Sequence, residues 1–334
     1  MAQATNFYPS QNAYVVYQKE SAVGTEPDDA ALKKLQTTSF TIPEASMPLE
    51  FSAPRSAQYI TTASQGHHAE GTKLWTFDTV LRGTPTAVLL ATEAVFEDSS
   101  SEAALNNDYV FPHATYQTGE SSASTFDIRF VNAGADSATE TIEMEGCVGT
   151  GFTLTEDIGS EGGELVCTIN WATGFMPVHS GTDVSSLAYD TGIPKNIRNL
   201  SLTTSEIESG NDMVIQAWEL SVTRPIERIH YKDITSGTFA PFGYAMTGPF
   251  EVTGSMTVIR NDDVHDLLAN FYNSTTVDIG ISGTNFTIAA DKCLIGETSV
   301  DMGGPVLTQV IPFTVVGADD VSSSTKMLGI TIAP

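Results

Sequence analysis

The stretch TVIRNDDVHDLLANFY (residues 257–272) repeats TVLRGTPTAVLLATEA (79–94) without a gap, 178 positions further along. Thr79, Val80, Arg82, Leu89, Leu90 and Ala91 coincide with Thr257, Val258, Arg260, Leu267, Leu268 and Ala269, and Leu81 faces Ile259. Each copy reads as a strand running into a short helix. In the first, Thr84 offers a capping hydroxyl and Pro85 suits the first helical position, with Ala87, Leu90, Ala91 and Ala94 on one face. In the second, Asn261 is the cap, Asp262 and Asp263 favour the positive helix end, and Val264, Leu267, Leu268 and Phe271 make the buried stripe.

The agreement continues downstream. STFDIRF (124–130) sets Phe126, Ile128 and Phe130 on one strand face and Asp127 and Arg129 on the other; TTVDIGI (275–281) repeats its Thr-x-Asp-Ile at an offset of 151. EGCVGTGFTLTEDIGSEGGELVCTINWATG (145–174) is echoed by DKCLIGETSVDMGGPVLTQVIPFTVVG (291–317): a Cys, a strand, a Gly-Gly turn, a second strand and a closing Gly. The offset falls by 27 because a Ser-rich insertion, about 98–123, interrupts only the first copy, and loops tolerate insertions at small cost. The chain therefore reads as an N-terminal arm (1–36), a first β unit (37–177), a loop-like link (178–193) and a second β unit (194–334). The arm contains a stretch, AALKKLQ, expected to be a short helix. The fold class is mainly β, sandwich- or barrel-like, with one short helix per unit.

Composition narrows the function. The 334 residues carry 15 Lys plus Arg against 41 Asp plus Glu, a formal charge of −26, which disfavours binding to nucleic acid phosphates or acidic membranes. Between Gly83 and Pro194 there are 17 acids and a single base, Arg129. The three cysteines, Cys147, Cys167 and Cys293, show no CxxC spacing, so no disulfide framework or zinc site is expected. There is no basic-then-apolar signal segment and no run long enough for a membrane helix, so the expectation is a soluble protein made in a cytoplasm.

No catalytic pattern emerges. His67 and His68 are neighbours on an extended stretch and would point to opposite faces. GSEGGE (159–164) lacks the Gly-Lys-Ser/Thr of a phosphate loop and reads as a hairpin turn. No GxSxG occurs. The acid pairs Asp262-Asp263 and Glu156-Asp157 are explained by helix capping and a turn. The expectation is a protein that is not an enzyme, with no catalytic residues, no metal and no cofactor.

These stretches together resemble the tail tube (major tail) proteins of long-tailed bacteriophages. QKESAVGTEPDDAALKKLQTTSFTI is similar to the family's opening; EGCVGTGFTLTEDIGSEGGELVCTINWATG to its Gly-Cys, strand, Gly-turn, strand segment; FEVTGSMTVIRNDDVHDLLANFYNST to its Thr-Val strand and Asp-containing helix. The resemblance implies a fold whose sheets close into a β-barrel on oligomerisation, stacked rings forming a tube, and DNA delivery through the bore without specific binding. It also implies a virion location after assembly in the host cytoplasm, no membrane, and tape measure, tail terminator and distal tail or baseplate proteins as partners. Rings in this family are built from six copies of one fold, so a chain carrying it twice implies a homotrimer with pseudo-sixfold symmetry, the alternative being a homohexamer. The competing functional class is an adhesin or decoration protein of a virion or cell surface, built as a β-sandwich. Candidate lumen-lining carboxylates are Asp127, Glu143, Glu145 and Asp278, the two glutamates alternating with Ile142 and Met144. Phe7, Tyr8, Tyr14 and Tyr17 of the arm are candidates for contacts between rings, and the insertion is expected to protrude from the outer surface.

Overall fold

A computed structural model describes residues 13–43, 49–51, 66–68, 74–96, 108–111, 124–132, 141–159, 163–180, 187, 189–203, 214–232, 239–260, 276–283, 286–316 and 328–332. The first half comprises β1 (Ala13–Lys19), β2 (Lys33–Lys34), β3 (Thr37–Phe40), β4 (Leu49–Phe51), β5 (Gly66–His68), β6 (Trp75–Arg82), α1 (Pro85–Phe96), β7 (Asp108–Phe111), β8 (Phe126–Asn132), β9 (Thr141–Asp157), β10 (Val166–Thr173) and β11 (Val178–Ser180). The second comprises β12 (Ile197–Thr203), β13 (Ile215–Thr223), β14 (Ile226–Lys232), β15 (Phe239–Met246), β16 (Glu251–Ile259), β17 (Val277–Gly283), β18 (Phe286–Ile295), β19 (Ser299–Asp301), β20 (Thr308–Val315) and β21 (Leu328–Ile332).

The chain is mainly β, and its two halves have the same strand order. In the first, neighbours run β3–β6–β10–β9–β8–β1. In the second they run β13–β16–β20–β18–β17–β12. The registers agree as well. Phe126 faces Cys147 and Val277 faces Cys293, Ile128 faces Met144 and Ile279 faces Ala290, and each pair is broken by a bulge at the same place, Phe126/Ile128 and Val277/Ile279. Each half also carries a hairpin between its first and second sheet strands, β4–β5 and β14–β15, and a last strand, β11 or β21, on the free side of β9 or β18.

Local sequence explains the strands. In β6 the residues alternate, with Trp75, Phe77, Thr79 and Leu81 buried and Thr76 and Asp78 exposed, as a sheet with one covered face requires. Thr79 is buried without cost because its Oγ1 accepts from Trp171 Nε1 at 2.9 Å. Helix α1 is capped as expected, with Ala87 N donating to Thr84 Oγ1 at 3.2 Å. It departs from the expected one-faced stripe: every residue but Thr86 is buried, so it is a core helix rather than a surface one. Gly149 of β9 makes this packing feasible, since a Cβ there would lie 2.9 Å from the Ala94 backbone. The second helix, with Asn261, Asp262 and Asp263, falls outside the described residues.

The boundaries differ from the sequence reading in three places. The arm does not extend to residue 36, because β1 pairs along its whole length with β8 and buries Val15, Val16 and Tyr17. AALKKLQ is not a helix: a 3-10 turn at Asp29–Ala31 leads into the short strand β2, and one turn leaves too few hydrogen bonds to propagate. The insertion is not wholly an external loop, since β7 pairs with β21, the last strand of the other half.

Candidate functional site

Paired strands form one line across both halves: β3, β6, β10, β9, then β13, β16, β20, and at the far end β18 and β19 side by side along β20. Four strand positions from each half, the last of the second half shared by β18 and β19, are thus fused into a single sheet. One face carries the core, including Trp171, Phe152, Leu154, Trp218, Leu220, Val222, Met256 and Phe313. By alternation the other face carries Thr76 and Asp78, Thr168 and Asn170, Thr153, Thr155 and Asp157, Glu219, Ser221 and Thr223, Glu251, Thr253, Ser255 and Thr257, and Thr314. Thr153 and Ser221 hydroxyls meet across the junction of the halves at 3.3 Å.

Chemically this face is rich in hydroxyls and carboxylates, interrupted by Val80, Ala217, Val310, Pro312 and Leu294. Among the described residues its cations are Arg82, held by Glu164 at 2.8 Å, and the exposed Lys292 of β18, and the acids Asp78, Asp157, Glu219 and Glu251 outnumber them. An excess of acids on such a wall disfavours phosphate binding.

The carboxylates singled out from the sequence lie elsewhere. Asp127 and Glu143 are buried and cannot line an open surface. They surround the fully buried Arg129, whose Nη2 lies 2.6 Å from Asp127 Oδ2 and 2.9 Å from Glu143 Oε1, while Nη1 lies 3.0 Å from Asp29 Oδ1 and Nη2 3.2 Å from Glu26 Oε1. Burial alone would lower the Arg129 pKa; the hydrogen bonds and charge of Asp127, then the charges of Glu143 and Asp29, overcome it and hold the guanidinium protonated. The single base of the acidic segment is therefore a structural counter-ion. Glu145 is half-buried beside this cluster, its carboxyl raised above the ordinary range by burial and by repulsion from Glu143 and Glu26. Asp278 is exposed, on β17, at the bulge corresponding to that of Asp127, and off the fused face. The alternation of Ile142 and Met144 with the glutamates was real, but the opposite side of β8 and β9 is covered by the 26–29 segment, which no period-two pattern reveals.

Of the arm aromatics, Phe7 and Tyr8 fall outside the described residues. Tyr17 is built into the main core, and Tyr14 packs against Val16, Leu32 and Val131, with Lys34 Nζ 4.7 Å above its ring. Tyr17 is therefore committed to the core, while Tyr14 is half-buried.

The junction of the halves is a designed contact rather than a crossing. β13 pairs with β9 from Ala217↔Asp157 to Thr223↔Gly151, and Trp218 Nε1 donates to Glu156 Oε2 at 2.9 Å. Glu156 and Asp157 thus end a strand, and Asp157 Oδ1 accepts from Gly159 N at 2.7 Å as the turn after it begins. Arg224 Nη1 points at the Ala94 and Val95 carbonyls at 3.5 and 3.4 Å, placing a cation at the C-terminal end of α1. Tyr244 of the β14–β15 hairpin donates to Gly146 O and accepts from Gly174 N at 2.9 Å. Gly146, at φ 59° in the middle of β9, has no room for a Cβ against Phe175.

The outer ends of the fused sheet are bare by comparison. Among the described residues β3 has a strand partner on one side, β6, and β19 on one side, β20. Residues 299–307 are all exposed, whereas 152–156, their counterparts in β9, are buried or half-buried under β13. Exposed apolar side chains gather at both ends, with Ile42 at one and Val300, Met302, Val306 and Leu307 at the other.

His67 and His68 lie on β5 opposite Glu50 and Leu49. The three cysteines are free and buried. Among the described residues no group of three or more His, Cys, Asp and Glu side chains is placed to hold a metal, and no helix is long and apolar enough to cross a membrane. No family model matches the sequence, and no curated protein matches it. Among solved structures, the chain is similar to one from the tail of an empty GTA particle determined with C6 symmetry. That chain is 11% identical, the match spans 36% of this chain and 91% of that one, and the TM-score is 0.28, too low to establish a common fold.

Proposed function

We propose that the chain is a structural subunit of a bacteriophage tail tube, polymerising as stacked rings through which viral DNA is delivered to the host. The observation that carries this reading is the fusion of two blocks of identical strand order into one sheet with an open face rich in hydroxyls and carboxylates. A chain that already joins two such blocks edge to edge needs only to repeat the operation to make a closed wall. Closing the wall also removes the exposed strand edges that otherwise aggregate. Three chains, each contributing eight strands, would give a ring of 24 with pseudo-sixfold symmetry. At strand spacings of about 4.8 Å and tilts of about 40°, such a wall is about 50 Å across its backbone, wide enough for a DNA duplex.

The open face then becomes the lumen. Asp78, Asp157, Glu219 and Glu251 repel the phosphates of passing DNA, and the threonine and serine hydroxyls keep the wall wetted without holding the cargo. No reaction is required of this surface, and the chain has no catalytic role in this reading. The tape measure, tail terminator and baseplate or distal tail proteins would be its partners in the virion.

Electron microscopy of the purified chain, reconstructed without imposed symmetry, tests the proposal. Hollow rods or rings with three internally repeated subunits are the expected result. Six equal subunits per ring would replace the trimer by a hexamer, and a monodisperse monomer binding cell surfaces would favour the adhesin class.

A further inference from the structure

We propose that residues 20–32 form a proton-locked strap: they stay closed over one face of β8 and β9 while a single proton is shared between the buried carboxyls of Asp127 and Glu143, and they open as the pH rises. The switch lies within one chain and does not depend on the tail-tube reading.

The strap joins β1 to β2 and carries Glu20, Glu26, Asp28 and Asp29 with no Lys or Arg. It lies on a face that is itself acidic. Phe126, Ile128 and Phe130 of β8 and Met144 of β9 turn to the main core, so alternation sets Asp127, Arg129, Glu143 and Glu145 on the strap side. Acid therefore packs on acid, and the Arg129 guanidinium joins the two layers. Nη1 donates to Asp29 Oδ1 at 3.0 Å. Nη2, which carries two hydrogens, donates to Asp127 Oδ2 at 2.6 Å and to Glu26 Oε1 at 3.2 Å, and Glu143 Oε1 lies 2.9 Å from the same nitrogen.

One cation thus faces two buried carboxyls, Asp127 and Glu143. A second negative charge in such a place is less favourable than a held proton. The two side chains are hydrogen-bonded to each other, and two carboxyl groups make that bond only when one of them is protonated. The titration of Asp127 runs the same way: burial raises it above the ordinary range and prevails over the hydrogen bonds and charge of Arg129 and the bond to Glu143, and the charge of Glu20 adds to the rise. The proton belongs to the pair rather than to either residue. From the surrounding elements, the end of β1 brings the buried Glu20, which accepts from Gly24 N at 2.8 Å and Gly146 N at 2.6 Å. β9 brings the half-buried Glu145 and the Cys147 thiol, kept protonated by burial. The strap brings Glu26 and Asp29, β11 sets Val178 opposite Glu143, and β2 holds Lys34 Nζ over the Tyr14 ring.

When the shared proton leaves, the pair carries two negative charges beneath the acids of the strap. Asp127 and Glu143 are fixed in paired strands, whereas Glu26 and Asp29 are about half exposed, so repulsion moves the strap. Because the value of the pair is raised in the closed form, its contribution to closure is complete below the ordinary carboxylate range and is lost as the pH rises through the raised value.

Hydrogen exchange of the full-length chain over a pH series, corrected for intrinsic rates, tests this. The amides of Gly24, Thr25, Ala31 and Leu32, hydrogen-bonded in the closed strap, report opening, and those of residues 152–156 in β9 report the sheet. Strap protection should fall by about tenfold per pH unit above the ordinary carboxylate range, the slope for one proton, and level off above the value of the pair, with the sheet unchanged. Asp127→Asn and Glu143→Gln each put a permanent N–H donor in place of the shared proton, and in either folded variant the slope should vanish. Infrared spectra of the wild type should keep a carboxylic acid band at pH values where exposed carboxyls are ionised, and lose it over the range in which the strap opens. Strap protection that ignores pH, or a wild type without that band, would overturn the proposal. A slope that persists in the folded variants would do the same, placing the titrating proton on Glu20 or Glu145. Should neither variant fold, the wild-type exchange series and the infrared band decide it together.

Discussion

Arg129 is the one base of a long acidic segment, and it has been taken inside the protein, where Asp127, Glu143, Asp29 and Glu26 all lie within 3.2 Å of its guanidinium. Removing one member of a buried ion cluster leaves the others uncompensated, so Arg129→Met should destabilise the chain by about 3–5 kcal/mol, measured by denaturant unfolding. Lysine should not rescue it, because a point charge cannot bridge four carboxylates as the planar fork does. Glu145 beside the cluster gives a pH-dependent prediction. Its pKa is raised in the folded state by burial and by Glu143 and Glu26, so folding favours its protonated form. That contribution is present below the ordinary value and is lost as pH rises through the folded value. Glu145→Gln should therefore raise the melting temperature at pH 7.5 and leave it unchanged at pH 4; an equal shift at both pH values would show that charge is not the cause.

At the scale of elements, α1 is positioned from three directions. Thr84 caps it, Asp190 accepts from the Thr84 hydroxyl at 2.7 Å, and Arg224 of the second half faces its last carbonyls. Gln36 Nε2 donates to the Asp190 and Gly192 carbonyls, each at 2.8 Å, so residues expected to form a loose link are fastened to the helix start. Thr84→Ala should cost about 1 kcal/mol, the usual loss for a cap. Gly149→Ala should cost more, about 1–3 kcal/mol, because the new methyl meets the Ala94 backbone, which cannot step aside as a side chain would. The two can be compared in one urea series. The Thr84-Pro85 start was readable from residue types alone, because capping is local chemistry. The burial of the helix on every side was not, since it depends on what β9, β10 and the second half bring against it.

For the whole molecule, the fused sheet makes two expectations. Residues 1–193 and 194–334 produced as separate chains in one cell should co-purify, because β13 leaves Trp218, Leu220 and Val222 without their β9 neighbours when alone. Charge reversal on the open face, Glu219→Lys with Glu251→Lys, should leave the fold and ring assembly unchanged but slow DNA ejection from particles carrying it; ejection at the normal rate would remove these residues from the lumen. The same changes at Asp127 and Glu143 would instead unfold the chain, although both kinds of position look alike in sequence. What the sequence by itself determined was the repeat: strand, helix start, Thr-x-Asp-Ile and Cys-containing hairpin recur because alternation, capping and turn residues are properties of neighbours in the chain. Its offset of 151 reappears in the registers of β8 and β17, whereas the offset of 178 does not carry over to β6 and β16, where Thr79 faces the core and Thr257 the open side. What only the tertiary structure decided was which polar faces stay open. β13 lies on β9 and the 26–29 segment lies over Arg129, and an alternating strand records that one face is polar without recording whether water or a buried guanidinium meets it.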